Sequence, residues 1–304
     1  MIYIKLENKL ENYNKGKGYI KRKLDKIRNY FFKLEIENFE NIILIKIPNT
    51  EKYVLNKIEN YIKIKCVNQV CLCQQLMGNQ EFVEFIKSKN VKIFDGRWLF
   101  EFLTKNCIEY ISSSKNEKMQ YQEISFLMNK INSRRVFLLL DVATSVKVLN
   151  IITSNIEQFK NIEKRLYEND GIILNVSNNY TKSLIKSDII INFDFSEEEI
   201  NKYEIPKKSC IVNLNQDVDI KTKSFDGVKA NFYEIQMPTK YMKNILLNDF
   251  SNEVVYESYI YKNTAPENIK KELKQDNIRI NFLIGKKDKI RKNEYLKLSK
   301  KIAN

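Results

Sequence analysis

Short apolar runs alternate with amphipathic stretches along most of this chain. Over residues 146–194 they predict, in order, a strand, a helix, Gly171, a strand, a polar loop and a strand. Residues 41–95 hold three apolar runs, separated by two segments whose apolar residues lie three or four positions apart. This alternation predicts parallel strands joined by right-handed helical crossovers. We therefore expect an α/β fold.

Two β-α-β units follow from the same pattern. A largely apolar segment at residues 97–114 predicts a long helix that joins them, and the second unit begins with a strand at 123–129. After Gly227 the alternation weakens, so the remaining segments are expected to pack back on the first unit. The expected domains are an N-terminal α/β domain with the linking helix (1–122), a Rossmann-like parallel sheet (123–230), and a C-terminal segment with a basic tail (231–304).

The sequence contains N-cap candidates for three helices. Thr50 is a plausible N-cap for the helix that follows it, and Asn132 or Ser133 for the helix after the 123–129 strand. That second helix is expected to bury the stripe Val136, Leu139, Leu140 and Ala143. Ser196 and Glu199 have the spacing of a capping box.

The turn after the 123–129 strand decides whether a dinucleotide fits. A Rossmann site uses glycines so that the backbone can approach a pyrophosphate at the start of a helix. Residues 129–133 read Asn-Lys-Ile-Asn-Ser and contain no glycine, and the next strand ends in Ile152-Thr153-Ser154-Asn155 without the acid that holds a ribose. The phosphate turn is therefore degenerate. The alternative is NAD(P) held by atypical contacts, with Ser and Thr near a 2′-phosphate.

The order of elements from Glu123 to Asn192, together with the strand Ser187-Asp188-Ile189-Ile190-Ile191-Asn192, resembles the cofactor domain of the shikimate-dehydrogenase-like enzymes. The resemblance covers about residues 123–192. It implies a two-domain fold with a cleft and, as an alternative function, an NAD(P)-dependent oxidoreductase. The glycine-rich turn of that family has no match here.

A second segment resembles another family. Residues 91–106, VKIFDGRWLFEFLTKN, are similar to the end of a BRCT repeat, where a strand leads into a helix that carries a tryptophan, here Trp98. This resemblance implies phosphopeptide or DNA-end binding. The Gly-Gly pair of such repeats is missing, because Gly78 is the only glycine in residues 40–90.

The positive net charge of the chain bears on its partners. The chain has 304 residues, a net charge of +14 and a pI near 9.3, which favours loose association with polyanions such as RNA, DNA or anionic lipid. The alternative is that these side chains are solvated helix faces and a tail. The basic residues concentrate near the two ends: Lys15, Lys17, Lys21, Arg22, Lys23, Lys26 and Arg28, and Lys286, Lys287, Lys289, Arg291, Lys292, Lys297, Lys300 and Lys301.

Several chemistries are excluded. The chain has no histidine, which removes Ser-His and Cys-His nucleophile pairs and the commonest metal ligand. Cys66, Cys71 and Cys73 lack zinc-site spacing, so we expect no metal and no disulfide. No apolar run approaches the ~20 residues that span a bilayer, and no signal peptide is recognised, so a cytoplasmic location is expected. Catalytic residues cannot be assigned.

Polar residues at the ends of the predicted strands form the candidate binding site. In parallel α/β sheets ligands bind at the carboxyl ends of the strands. The alternative for the amides is turn formation and capping. We therefore expect a cytoplasmic, non-catalytic Rossmann-like protein that binds or regulates, with a cleft for a small ligand. The candidate ligand-binding residues are Thr153, Ser154, Asn178, Asn179, Asn192 and Asp194.

Overall fold

The computed structural model describes residues 1–7, 27, 33–39, 41–221, 225–236, 238, 248–286 and 288–298. Its strands are β1 (Ile2–Leu6), β2 (Glu35–Phe39), β3 (Ile42–Ile47), β4 (Gln69–Leu72), β5 (Lys92–Phe94), β6 (Glu123–Leu127), β7 (Val148–Ile152), β8 (Asn175–Ser177), β9 (Ile189–Asn192), β10 (Cys210–Asn213), β11 (Val228–Ala230), β12 (Phe232–Ile235) and β13 (Ile280–Ile284). Its α-helices are α1 (Lys52–Ile64), α2 (Gln74–Met77), α3 (Gln80–Lys87), α4 (Arg97–Phe102), α5 (Thr104–Ser114), α6 (Ser133–Ala143), α7 (Ile156–Asp170), α8 (Glu197–Ile200), α9 (Asn252–Asn263), α10 (Ile269–Gln275) and α11 (Lys292–Leu296).

The chain divides into two compact units. Unit 1 consists of Met1–Gly96 and Met237–Asp276, and unit 2 of Arg97–Gln236 and Asn277–Asn304. This division differs from the predicted domains 1–122, 123–230 and 231–304. The helical segment after Gly96 belongs to unit 2, and the C-terminal part of the chain is shared between the units.

Unit 1 contains a five-stranded sheet in the order β2-β3-β1-β4-β5. The β-α-β-α-β pattern predicted over 41–95 is confirmed, with β1 inserted between β3 and β4 and parallel to both. Strand β2 pairs antiparallel with β3 and forms the edge. Helix α1 buries Val54, Ile58 and Ile62, as its apolar spacing predicts.

Thr50 is not the N-cap of α1. Glu51 holds that position, and no side chain caps it. The reason is that the Asn49 side chain accepts a hydrogen bond from the Glu51 N–H (3.0 Å), which sets the entry to the helix, while the Thr50 hydroxyl accepts one from Asn79 (3.4 Å).

Unit 2 is built on a six-stranded parallel sheet in the order β11-β10-β9-β6-β7-β8. Counted from β6 as strand one, this is the order 3-2-1-4-5-6 of the doubly wound nucleotide-binding fold. The order reverses between β6 and β9, so the ligand crevice of such a fold would open at their carboxyl ends. The predicted Rossmann-like α/β architecture is confirmed.

The long helix predicted at 97–114 is two helices, α4 and α5. Leu103 separates them with a non-helical backbone (φ −87°, ψ 9°) and is fully buried. The Thr104 hydroxyl donates to the Glu101 carbonyl oxygen at 2.8 Å, a local bond that competes with regular helix geometry.

Helix α6 starts at the predicted cap, but its buried stripe matches the predicted one only in part. Asn132 accepts a hydrogen bond from the Arg135 N–H at 3.0 Å. The buried residues are Arg135, Leu138, Leu139 and Val142. Of the predicted stripe, Leu139 is confirmed as buried, whereas Val136, Leu140 and Ala143 are only partly buried. The prediction is wrong for these three because Arg135 forms ion pairs inside the protein, which turns its side of the helix inward.

Side-chain amides join neighbouring strands of the unit 2 sheet. Asn192, Asn213 and Asn231 lie side by side at the ends of β9, β10 and β11, are at most 3% exposed, and are linked by hydrogen bonds of 3.0 and 2.8 Å. Because each buried amide needs its partner, this ladder opposes any slip in strand register.

Gly227 is expected to tolerate no larger residue. A Cβ at this position would lie 2.2 Å from the Ser209 carbonyl oxygen and 2.5 Å from the Phe225 ring. We expect Gly227→Ala to destabilise unit 2 by about 1–3 kcal/mol, the usual cost of overpacking. Trp98 is the only tryptophan and lies in unit 2, so its fluorescence in urea reports the loss. Gly285→Ala is the control, since its Cβ meets nothing closer than 3.5 Å. Equal midpoints for both variants would refute the clash.

Candidate functional site

The carboxylate of Asp194 lies at the point where the strand order of unit 2 reverses. Asp194 follows β9, and its two oxygens accept hydrogen bonds from the backbone N–H groups of Asn129 (2.6 Å) and Lys130 (3.2 Å), in the turn after β6. In the dinucleotide-binding fold, this turn is where backbone N–H groups meet a pyrophosphate. Here a side chain of the protein takes those donors.

A buried guanidinium completes the arrangement. Arg135, 6% exposed, donates from Nη1 to Asp194 (2.6 Å) and from Nε to Glu101 (2.9 Å). Arg134 donates to the second oxygen of Glu101 at 3.0 Å. Burial alone would lower the pKa of Arg135, but the carboxylates of Glu101 and Asp194 outweigh it and raise that pKa above its usual value. The four side chains form a cluster of two positive and two negative charges, the charge cluster.

Asn129 closes the neighbouring space between β6 and β7. Its Oδ1 accepts hydrogen bonds from the N–H and hydroxyl of Ser154 (both 2.8 Å) and from the Thr153 hydroxyl (3.4 Å). Its Nδ2 donates to Glu199 at 2.9 Å. Glu199 also forms the predicted capping box with Ser196, which is confirmed. The polar groups at these strand ends therefore bind each other.

The structure brings three of the six candidate residues together. Thr153, Ser154 and Asp194 all contact Asn129. Asn192 belongs instead to the buried amide ladder, where its Nδ2 binds Asn213 and the Phe195 carbonyl oxygen, both at 3.0 Å.

Asn178 and Asn179 follow β8 beside Thr153, whose N–H donates to the Ser177 carbonyl oxygen at 3.1 Å. Both are exposed, and within the described ranges neither makes a hydrogen bond to another candidate residue. The Asn179 Oδ1 accepts from the N–H groups of Thr181 and Lys182, both at 3.0 Å. Asn179 therefore shapes the turn after β8, the capping role that the sequence left open as an alternative.

Sequence reasoning missed Asn129, Glu101, Arg134 and Arg135 as members of this site. One signal was present: Arg135 precedes Leu138, Leu139 and Val142 at the spacing of one helical stripe. A charge within an apolar stripe indicates a buried partner, because an unpaired buried charge is costly.

The residues of this turn do not fit a pyrophosphate. The donors that would hold it are taken by Asp194, and Lys130 and Ile131 stand where that fold uses glycine to let the backbone approach. In the described part of the chain, no three His, Cys, Asp or Glu side chains are grouped to hold an ion.

Unit 1 carries an open polar groove of about 650 Å³. Asn79 caps α3 there by accepting from the Phe82 N–H at 3.1 Å, and Gln80 binds Glu84 at 3.0 Å. Local capping and side-chain pairing account for these groups. The lining residues are Gln75, Gly78, Asn79, Gln80, Glu81 and Glu84.

All five cysteines are free thiols. Cys71, Cys73, Cys107 and Cys210 are buried, and Cys66 is exposed. Among the helices of the described residues, none has the length and apolar character needed to cross a bilayer.

The segment that resembles a BRCT repeat is divided between the two units. Strand β5 belongs to unit 1, whereas α4 with Trp98 belongs to unit 2. Trp98 packs edge-on against Phe102 with ring centroids 4.8 Å apart.

Comparisons with known proteins identify no sequence family. No family model matches the chain, and no curated protein matches it significantly. Among solved structures it is similar to a protein named D-3-phosphoglycerate dehydrogenase oxidoreductase from Ralstonia solanacearum (10% identity, TM-score 0.36), with 97% of this chain and 98% of that chain covered. It is also similar to L-tryptophan dehydrogenase from Nostoc punctiforme (9% identity, TM-score 0.34), with 90% of this chain and 79% of that chain covered. D-mandelate dehydrogenase from Rhodotorula graminis is similar at 7% identity and a TM-score of 0.39, with 84% of this chain and 90% of that chain covered. At these TM-scores the alignments carry no argument about the activity of this chain.

Proposed function

We propose that this chain is a non-catalytic, Rossmann-like binding or regulatory protein whose dinucleotide position is closed from within. The observation that carries the proposal is that the backbone N–H groups of Asn129 and Lys130 donate hydrogen bonds to the Asp194 carboxylate. A small ligand without a pyrophosphate can still use the carboxyl edge of the sheet. The four buried free thiols suit the reducing conditions of the cytoplasm, where we place the protein.

The cost of opening this position argues against a dinucleotide. A pyrophosphate would have to displace Asp194 from Arg135, and breaking a buried ion pair costs about 3–5 kcal/mol. That cost weakens a micromolar complex by roughly 150- to 5,000-fold, to a Kd between about 0.15 and 5 mM. The sequence provides no glycine in the turn to offset it.

The second candidate is an NAD(P)-dependent oxidoreductase. The observation in its favour is the strand order of unit 2, which is that of the dinucleotide-binding fold. It requires phosphate contacts other than the N–H groups of Asn129 and Lys130.

A thermal-shift titration separates the two candidates. We expect no appreciable rise in Tm with NAD+, NADH, NADP+ or NADPH up to about 0.1 mM, which is about 100 times a micromolar Kd. A ligand present at about 100 times its Kd adds about 2.7 kcal/mol to the native state, which such a titration detects easily. Isothermal titration calorimetry is the second readout. A saturable dinucleotide effect in both would refute the closed crevice and favour the oxidoreductase.

Polyanion association through the basic ends is proposed as a weak property of the whole chain. The seven basic residues from Lys15 to Arg28 lie outside the described ranges. Near the C-terminus, Lys286 pairs with Asp219 (3.5 Å) and Lys289 with Glu234 (2.6 Å), so part of this charge is neutralised internally. We expect binding to single-stranded RNA that falls steeply between 50 and 200 mM salt, about tenfold or more. Fluorescence anisotropy measures it, and salt-independent binding would contradict the proposal.

A further inference from the structure

We propose that the Asp194 side chain occupies an anion-binding position of the protein, and that removing this side chain opens the position to free phosphate. The inference rests on the proposed function, since it concerns the same closed crevice. It adds that the donors of an anion site have been kept, and that one side chain blocks their use.

The donor set around Asp194 supports this. Two backbone N–H groups and one guanidinium N–H converge on the carboxylate within 3.2 Å. All three are hydrogen-bond donors, and the guanidinium carries a full charge. Backbone N–H groups with an arginine are also the donors that bind phosphate oxygens.

The charge balance shows what removal would do. Arg134 and Arg135 face Glu101 and Asp194, so the charge cluster is neutral overall. Without the Asp194 carboxylate the cluster has one excess positive charge. The two turn N–H groups and Nη1 of Arg135 lose this shared acceptor, although Nη1 keeps its bond to the Lys130 carbonyl oxygen. A phosphate would restore both the charge and the acceptors.

Asp194→Ala tests the inference. In this variant we expect saturable binding of inorganic phosphate by calorimetry, at least tenfold tighter than in the wild type, and a Tm that rises with phosphate relative to chloride at equal ionic strength. Asp194→Asn is the matched control. It removes the charge but keeps the volume and an oxygen acceptor, so we expect little gain in phosphate affinity.

A second substitution fixes the location. Adding Arg135→Met to Asp194→Ala is expected to abolish the gain, because the guanidinium is lost. If Asp194→Ala does not fold in chloride, Asp194→Ser is measured instead, and phosphate-dependent refolding followed by Trp98 fluorescence gives the same comparison.

Two outcomes overturn the inference: phosphate affinity in Asp194→Ala or Asp194→Ser no higher than in the wild type, or a gain that survives Arg135→Met. Neither affects the proposed function, which fails only if the wild-type protein binds a dinucleotide. The two failures are therefore distinguishable.

Discussion

Arg135→Met is expected to lower the free energy of unfolding of unit 2 by about 3–5 kcal/mol, the usual cost of removing one partner of a buried ion pair. The guanidinium bonds both Glu101 and Asp194. Glu101 is 5% exposed and would keep only Arg134, whereas Asp194 would keep only the two turn N–H groups. Methionine fills much of the volume of the arginine side chain. The loss in free energy of unfolding therefore arises more from the uncompensated carboxylates than from a cavity.

Urea unfolding followed by Trp98 fluorescence measures this loss, because the single tryptophan lies in unit 2. Arg134→Met is the matched control. Its guanidinium bonds the same Glu101, but its side chain is 31% exposed, so we expect a loss of only about 1 kcal/mol. Adding Asp194→Asn to Arg135→Met removes one stranded carboxylate and should recover part of the stability. Equal losses for Arg134→Met and Arg135→Met would contradict the central role of Arg135.

The fold was predictable where apolar residues cluster locally. Strands β9 and β10 are short runs that are buried on both faces, and such runs are read directly as parallel strands. Helix α9 was missed for the opposite reason. It buries Glu253, Tyr256 and Glu257 among its apolar residues, so it shows no simple apolar stripe. The edge strand β2 is mostly exposed and gave no apolar run.

The site could be predicted only in part, because its contacts join distant positions. Asp194 was recognised from its place after a buried strand. Its partner Asn129 lies 65 residues away in the sequence, and Arg135 lies 34 residues from Glu101. Short-range patterns carry no information about such pairs. The sequence did show that the turn after β6 lacks glycine. The structure adds that the Asp194 carboxylate accepts hydrogen bonds from the N–H groups of this turn.

Unit 2 is expected to lose stability in alkaline solution because it buries ionisable thiols. Burial raises the pKa of Cys107 well above its usual value and that of Cys210 to about 12, although Lys115 lowers the latter slightly. Burial also raises the pKa of Tyr295, whose hydroxyl has no hydrogen-bond partner among the described residues. In the unfolded chain a thiol loses its proton near pH 8.5 and a tyrosine near pH 10.

The sign follows from proton binding. Above about pH 8.5 the unfolded chain binds fewer protons than the native state, so stability is complete below that pH and falls as the pH rises towards 12. Each buried thiol contributes about 1.4 kcal/mol per pH unit, so Cys107 and Cys210 together remove about 5 kcal/mol by pH 10.5. That is the full stability of many domains.

Urea midpoints read by Trp98 fluorescence from pH 7 to 10.5 measure the slope. The double substitution Cys107→Ala and Cys210→Ala should flatten most of it between pH 8.5 and 10, whereas Cys66→Ser, at an exposed thiol, should leave it unchanged. An unchanged slope in the double variant would show that the buried thiols are not the cause.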